Sequence, residues 1–504
     1  MKFHGVSFLR RLLKETSGQS MYIMILAMSS MIGLSGIAVD LGHGYYASQQ
    51  LQASTNMAAI AAAAVMPNTT TASSNAAAYG SGSGDRNATG LLTNVNTTTT
   101  FLCLSTLANA TTGGTPCVAS TGSTSGSFNA VRVIQTAKVP TWFGGMFGLA
   151  NFNLTSVSTA AMAGGSNTPY NIAVILDTTA SMAANDSGTQ CTGTQISCAL
   201  GGVQALLQLT FPCASGAACT AISGTQRVIN PVDSVALFVF PPVTTATMPK
   251  DYVCKTSNPT TIPYTFTNVT TGSSQNLNLP STATYEVIPF SGNYKPSDST
   301  TSLNTSSDIV IAAGDSGVSG CSGIQAPGGE GTYYAQVIYQ AQAALVAQQT
   351  ANPGTKNMLI IVSDGDATAT PGQIVATTGT LNGTGTSSSN PTGYHSYTYP
   401  SALGECGQAI IAAQSAASAG TKVVTIGYGS ETSGCTTDAT YSAHKGVTPC
   451  QTIQDMASDP TYFFSDDGNG CVSPNQTKLT KLQQIFQYIV GITETPRIVP
   501  NTTT

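Results

Sequence analysis

The chain has 504 residues, more than one ordinary hydrophobic core absorbs, so two or three folded units are expected. Only 8% of the residues are charged, and the formal net charge is -5. With no basic patch to neutralise phosphates, a nucleic-acid partner is not expected.

The first element is an apolar helix. Lys2, Arg10, Arg11 and Lys14 stand against the single acidic Glu15 in the basic segment 1–20, and an uncharged run from Met21 to Val39 follows. A helix of that length rises about 28 Å, close to the thickness of bilayer hydrocarbon. After Asp40 no Lys or Arg occurs until Arg86, so the positive-inside rule puts the N-terminus in the cytoplasm and the rest outside. A cleaved signal peptide is the competing reading, but Asp40-Leu41-Gly42-His43-Gly44-Tyr45-Tyr46 offers no small-x-small cleavage site. Leu51, Ala58, Ala59, Ala62 and Val65 continue a helical spacing up to Pro67, so a retained anchor (21–39) running on as a helical stalk (40–67) is expected.

Residues 68–165 read as a small β-rich region with Ser/Thr/Gly tracts such as Thr97-Thr98-Thr99-Thr100. Alternation marks strands at Asn129 to Val139 and, more weakly, at Asn153 to Met162. Between them lies Val139-Pro140-Thr141-Trp142-Phe143-Gly144-Gly145-Met146-Phe147-Gly148, whose aromatics are expected to form the core of a small domain. Contact with a partner or with the bilayer surface is the alternative.

Past Gly165 the pattern changes. Tyr170 to Leu176, Ser234 to Phe240, Met358 to Val362 and Val423 to Tyr428 are apolar runs of buried-strand length. Helical patterns fall between and after them, at about Cys198 to Phe211, Thr332 to Gln349, Cys406 to Ala419 and Lys478 to Ile492. The alternation predicts an α/β unit over 168–495 built on a doubly wound, mainly parallel sheet. A β-rich insertion over about 241–320, a second over about 368–400, and a tail at 496–504 complete the organisation.

All twelve cysteines lie after residue 100, and none makes a CxxC pair. That spacing argues against a metal cluster and for disulfides in an oxidising compartment. Proximity makes Cys103–Cys117, Cys191–Cys198, Cys213–Cys219 and Cys435–Cys450 plausible pairs, although sequence does not settle connectivity.

The N-terminal order Arg10-Arg11, Glu15-Thr16-Ser17-Gly18-Gln19, the apolar run, Val39-Asp40-Leu41-Gly42, Tyr46 and Leu51-Gln52-Ala53-Ser54-Thr55-Asn56-Met57-Ala58-Ala59 resembles the anchor of TadE/TadG-like proteins of tight-adherence (Flp) pilus assembly. The segment Val139 to Gly148 resembles another part of these proteins. Pilin-type processing in this system expects Glu at the fifth position after a cleavage Gly, whereas Ile23 stands there after Gly18, so peptidase processing is not implied.

Three strand-end loops carry oxygen ligands. Asp177-Thr178-Thr179-Ala180-Ser181 follows the first buried strand as D-x-[S/T]-x-S, Gly328-Gly329-Glu330-Gly331-Thr332 precedes a helix, and Ser363-Asp364-Gly365-Asp366 follows the strand Leu359-Ile360-Ile361-Val362. In this order they resemble the metal-ion-dependent adhesion site of von Willebrand A domains. The resemblance implies Mg²⁺, or Mn²⁺ or Ca²⁺, held by the Thr179, Ser181 and Thr332 hydroxyls and the Asp177 and Asp364 carboxylates, directly or through water. A hard cation takes such oxygens, and few carboxylates leave it electrophilic toward a partner's carboxylate. The alternative is the same fold with an empty site, its polar residues capping helices and turns. Asp366 is expected to face solvent, and Asp466-Asp467 to be a solvated turn more than a Ca²⁺ site.

No G-x-S-x-G, H-E-x-x-H or phosphate loop is present, and His4, His43, His395 and His444 fall in no catalytic spacing, so an enzyme is not expected. The expectation is a single-pass bacterial inner-membrane protein with its bulk periplasmic or extracellular. It would engage a protein or surface ligand that offers a carboxylate, together with other pilus-assembly components. A purely structural spacer and a stand-alone adhesin are the alternatives.

Overall fold

The apolar run lies inside one long helix, α1 (Thr16–Ala63), in a computed structural model that describes residues 16–107, 115, 117, 128–164, 169–186, 191–214, 218–229, 231–244, 264–267, 274–277, 283–298, 300–315, 321–326, 331–384, 396–428, 433–440, 442–466, 471 and 481–501. Among the described residues, α1 is the one helix long and apolar enough to cross a membrane. Its most apolar window has a mean hydropathy of 1.9, and only 6% of that window is buried against protein. A window that is apolar all round and so little buried is not packed as a soluble core helix is. Below Val39 its character changes: Ala47, Leu51, Ser54, Thr55, Ala58, Ala59 and Ala62 recur every three or four residues and are buried.

The chain divides into two compact units, one of Met1–Phe101, Ala130–Ala161 and Ile498–Thr504, the other of Leu102–Asn129 and Met162–Arg497. In the first, the small-residue stripe of α1 packs on strands β2 (Ala130–Pro140) and β3 (Asn151–Ala161), which pair antiparallel without a slip from Ala130↔Ala161 to Pro140↔Asn151. β1 (Thr93–Leu102) and β12 (Arg497–Val499) complete a sheet of order β1-β2-β3-β12. The short helix α2 (Thr69–Ala78), capped by the Asn68 side chain, follows the turn at Pro67. A polar knot joins helix to sheet: Ser54 and Thr55 donate to Gln135 Oε1 at 3.1 and 3.0 Å, and Gln135 Nε2 donates to Thr97. The aromatic segment departs from expectation. Trp142, Phe143, Met146, Phe147 and Leu149 are exposed, because the β2–β3 register ends at Pro140↔Asn151 and these residues lie in the connection beyond it.

The second unit is built on a six-stranded sheet of order β11-β10-β9-β4-β5-β8. Its strands are β4 (Tyr170–Asp177), β5 (Ser234–Thr244), β8 (Ala283–Ser291), β9 (Lys356–Ser363), β10 (Lys422–Gly427) and β11 (Phe463–Ser465). All neighbours run parallel except β8, which is antiparallel to β5 with register shifts. A two-stranded ribbon, β6 (Tyr264–Thr267) with β7 (Ser274–Leu277), falls within the stretch read as a β-rich insertion. Successive residues of Ile172 to Leu176, Val235 to Phe240 and Met358 to Val362 are all fully buried. Strand side chains alternate between faces, so both faces of this mainly parallel sheet are covered.

Helices α3 (Gln195–Leu209), α4 (Asp308–Ala312), α5 (Tyr334–Ala351), α6 (Pro371–Thr378), α7 (Glu405–Ser418), α8 (Pro449–Met456) and α9 (Leu482–Thr493) complete the unit. α5 packs on β4 and β9 and beside α7, while α3 packs on α9.

The disulfides correct one pairing. Cys103–Cys117, Cys191–Cys198 and Cys213–Cys219 form, but Cys435 pairs with Cys406 and Cys450 with Cys471. Cys435 faces the start of α7 and Cys450 the chain beyond β11, so neighbours in sequence point apart. Every described cysteine is in a disulfide. Non-reducing peptide mapping is expected to recover Cys406–Cys435 and Cys450–Cys471 and no Cys435–Cys450 species. The double variant Cys406→Ala/Cys435→Ala should lower stability by about 2–5 kcal/mol in a denaturant titration.

Candidate functional site

The strand order reverses at β4: the chain passes from β4 to β5 on one side and later to β9 on the other. Beyond the carboxyl end of such a strand the connections diverge, which is where α/β sheets place their ligands. Asp177, the last residue of β4, occupies this position fully buried, and Ser363 ends β9 beside it.

Hydrogen bonds order the constellation. Asp177 Oδ1 accepts from the Thr179 backbone N–H at 2.8 Å and from Thr179 Oγ1 at 2.6 Å, and Asp177 Oδ2 accepts from Ser363 Oγ. Because Thr179 spends its hydroxyl proton on Asp177, the 3.0 Å contact between Thr179 Oγ1 and Ser181 Oγ has Ser181 as donor. The same reasoning makes Tyr334 the donor in its 2.6 Å contact with Ser363 Oγ. Burial, with the Asp177 and Asp364 charges, holds the Tyr334 phenol well above its ordinary pKa, so its proton is retained. Two hydroxyl chains, Ser181–Thr179 and Tyr334–Ser363, thus converge on one carboxylate. Gly365 closes the second loop at φ +98°, where a side chain would be strained and would meet the Pro449 carbonyl.

Burial, then the Asp364 carboxylate, push the Asp177 carboxyl up to about 7, against the hydrogen bonds from Ser363 and Thr179. Asp364 therefore lies within electrostatic reach of Asp177, and the two acids repel. Thr332 is buried just before α5. Its N–H donates to Thr368 Oγ1 at 3.3 Å, and its carbonyl accepts from Thr368 and Ala369. Ala369 N–H donates in turn to Glu405 Oε2 at 3.0 Å. Thr332 is tied to the Asp177 neighbourhood through Tyr334, two residues on. Glu330 lies outside the described residues.

The donor set suits a hard divalent cation: hydroxyls and two carboxylates whose mutual repulsion a cation would relieve. Sequence reasoning passed over Ser363, although it stands inside the quoted Ser363-Asp364-Gly365 run, and Tyr334, which no local pattern marks. Asp366 differs from expectation. Its Oδ1 accepts the Cys435 N–H at 2.7 Å, because the Cys406–Cys435 disulfide holds that backbone against the loop. Asp366 beside Cys406–Cys435 and Asp186 beside Cys191–Cys198 are not metal centres, since disulfide sulfurs are not thiolate ligands. Asp466 lines a separate cavity of about 330 Å³ with Asp186, Tyr428 and Lys481, and Asp467 lies outside the described residues.

No family model matches the chain, and no curated protein sequence matches it. Solved structures similar to it include the pilus adhesin SpaC from Lactobacillus rhamnosus GG, at 12% identity over 73% of this chain and 33% of that one, with a TM-score of 0.34. A conserved hypothetical protein, BatB from Bacteroides thetaiotaomicron, aligns at 13% identity over 64% of this chain and 98% of its own, with a TM-score of 0.28. Proximal thread matrix protein 1 from the mussel byssus aligns at 10% identity over 65% and 49%, with a TM-score of 0.30. The chain spans about a third of the length of the pilus adhesin.

Further acids raised by burial contribute to the pH response in the same direction, Asp233 and Glu405 foremost, with Asp438, Asp455 and Glu494. Asp233 is pushed by burial from an ordinary 3.8 to about 7, although Phe211 and Tyr170 N–H groups donate to it. Glu405 is pushed by burial well above its ordinary 4.5. Above those ordinary values the folded chain keeps protons that the unfolded chain has released, so this stability is complete at acid pH and is lost as pH rises through the folded values. Lys295 and Lys422, pushed down to about 8 by burial, stay charged in both states below that pH and add no opposing slope. The melting temperature of the full chain in detergent with chelator is therefore expected to fall between about pH 5 and about pH 7. Glu405→Gln should flatten that fall, and a melting temperature rising over this window would contradict the assignment.

Proposed function

We propose that the chain is a membrane-anchored, extracytoplasmic component of a tight-adherence pilus-assembly-like system, with a von Willebrand A-like unit that binds a protein or surface ligand through a divalent cation. The observation that carries the reading is the buried Asp177 at the strand-order reversal, ringed by hydroxyls and repelled by Asp364. Asp177, Thr179, Ser181, Thr332 and Asp364 would hold Mg²⁺, Mn²⁺ or Ca²⁺, and the bound ion would supply a Lewis-acidic position for a partner carboxylate. The N-terminal resemblance, the charge asymmetry about Met21 to Val39 and the disulfides support a bacterial inner-membrane anchor with the bulk of the chain in an oxidising, extracytoplasmic compartment. The proposed role is binding, not catalysis.

A structural-spacer reading has one observation in its favour. Both Asp177 oxygens already accept hydrogen bonds, so the network is satisfied without an ion.

Calorimetry with Mg²⁺ and Mn²⁺ on the full chain in detergent separates the two. Wild type is expected to bind, and Asp364→Ala to lose more than the roughly 10–100-fold that removing an outer-sphere partner costs. Asp315→Asn, on a residue outside the constellation, is the control and should bind like wild type. Absence of metal binding by wild type, or unchanged binding by Asp364→Ala, would leave the spacer reading in its place.

A further inference from the structure

The β2–β3 connection exposes a run of apolar side chains that the proposed binding role does not use. Trp142 is 65% exposed, Met146 76%, Phe147 68% and Leu149 61%. No charged residue stands between Lys138 and Asp177 to interrupt the patch. Soluble surfaces rarely carry contiguous apolar clusters of this kind without something to cover them.

Three contacts fix the height of this loop along α1. The Asp40 carboxylate, first residue after the apolar run, accepts the backbone N–H groups of Trp142 at 2.8 Å, Phe143 at 3.1 and 3.2 Å, and Gly144 at 2.6 Å. Phe143 lies on Gly36, so close that a Cβ there would stand 3.0 Å from the ring. Gly36 is inside the apolar run, less than one helical turn of about 5.4 Å from its end. On the other side of Asp40, the His43 ring stacks on Trp142 with centroids 4.7 Å apart. The loop is therefore level with the end of the run, where amphipathic aromatics gather at a bilayer surface. Tyr45 and Tyr46 are exposed on the same helix, about 8–9 Å further from the apolar run than Asp40.

The loop backbone is also prepared for a medium without water. Besides the three N–H groups on Asp40, Thr141 N–H donates to Ala150 O, Met146 to Phe143 O, Gly148 to Gly145 O and Leu149 to Gly144 O. Irregular backbone tolerates lipid only when its polar groups are satisfied internally.

We propose that the Thr141 to Leu149 loop is a membrane wedge, with Trp142, Phe143, Met146, Phe147 and Leu149 in the outer interfacial layer of the bilayer that α1 crosses and Asp40 as its clamp. The proposal rests on the anchor reading of α1. Continuity of the patch with the lipid-facing helix surface selects lipid over a protein partner, since Phe143 already lies on that helix. The wedge would fix the tilt and rotation of α1 by adding a second point of attachment.

Trp142 is the single tryptophan of the chain, so its fluorescence reports the loop alone. The full chain is reconstituted in phosphatidylcholine vesicles, with and without lipids brominated near the headgroup, and alkaline carbonate extraction is run in parallel. Expected are carbonate resistance, blue-shifted emission, loss of most of it to the brominated lipid, and little quenching by acrylamide. Asp40→Ala should free the loop, restoring acrylamide quenching while the chain stays carbonate-resistant. A carbonate-resistant chain whose Trp142 is quenched by acrylamide and not by brominated lipid overturns the wedge and leaves the anchor. Shielding from both quenchers that varies with protein density overturns it in favour of a second copy or another protein. Extraction by carbonate overturns anchor and wedge together.

Discussion

A fully buried carboxylate at the carboxyl end of β4 sets the terms for the larger unit. Reversal of the strand order at β4 makes the connections diverge there, and an acid placed beneath them loses water on every side. Such a group is tolerated only with its oxygens satisfied. The chain supplies hydroxyls and a backbone N–H, in place of the Lys or Arg that would have made an ion pair. Ser181 donates to Thr179 and Thr179 to Asp177, so the Ser181 oxygen and one Thr179 lone pair are left open, while Ser363 Oγ already accepts from Tyr334 and from the Gly365 N–H. It is this open oxygen that the proposed cation would use.

The same device recurs at other joints. Asp233 accepts N–H groups from the start of β4 and the end of α3, Glu405 takes the Ala369 N–H that steadies Thr332, and Asp438 takes two from the start of α7. With only 8% of residues charged, carboxylates act here mainly as backbone acceptors at places where loops meet elements. A disulfide works beside these carboxylates at Cys406–Cys435, whose two backbone N–H groups donate to Asp438 and Asp366.

Helix α1 shows how one element changes its surroundings without a break. From Met21 to Ser35 its side chains are apolar or small and open on all sides, the distribution that lipid favours. From Gly36 onward a stripe of glycine, alanine and small polar residues lets β2 and β3 approach. Asp40 marks the boundary.

Local periodicity and length determined much by themselves. The apolar run, the strands β2, β3, β4, β5, β9 and β10, the helices α3, α5, α7 and α9, and the three nearest-neighbour disulfides were legible because each signal is carried within about twenty residues. Elements with weak apolar signals were not: β1 is a Thr-rich strand, α2 and α6 are short, and β8, β11 and β12 gain their identity from the strands they pair with. Of the candidate ligands, Asp177, Thr179 and Ser181 are joined by hydrogen bonds between residues two apart, which their spacing already suggested. Tertiary structure alone decided that Ser363, distant by 186 positions, and Tyr334 complete the network, since parallel pairing of β4 with β9 brings their ends together. It also decided that Asp366 belongs to Cys435 and that Trp142 and Phe147 face outward. Composition fixes which side chains avoid water, but whether a neighbour is there to cover them is settled by the path of the chain.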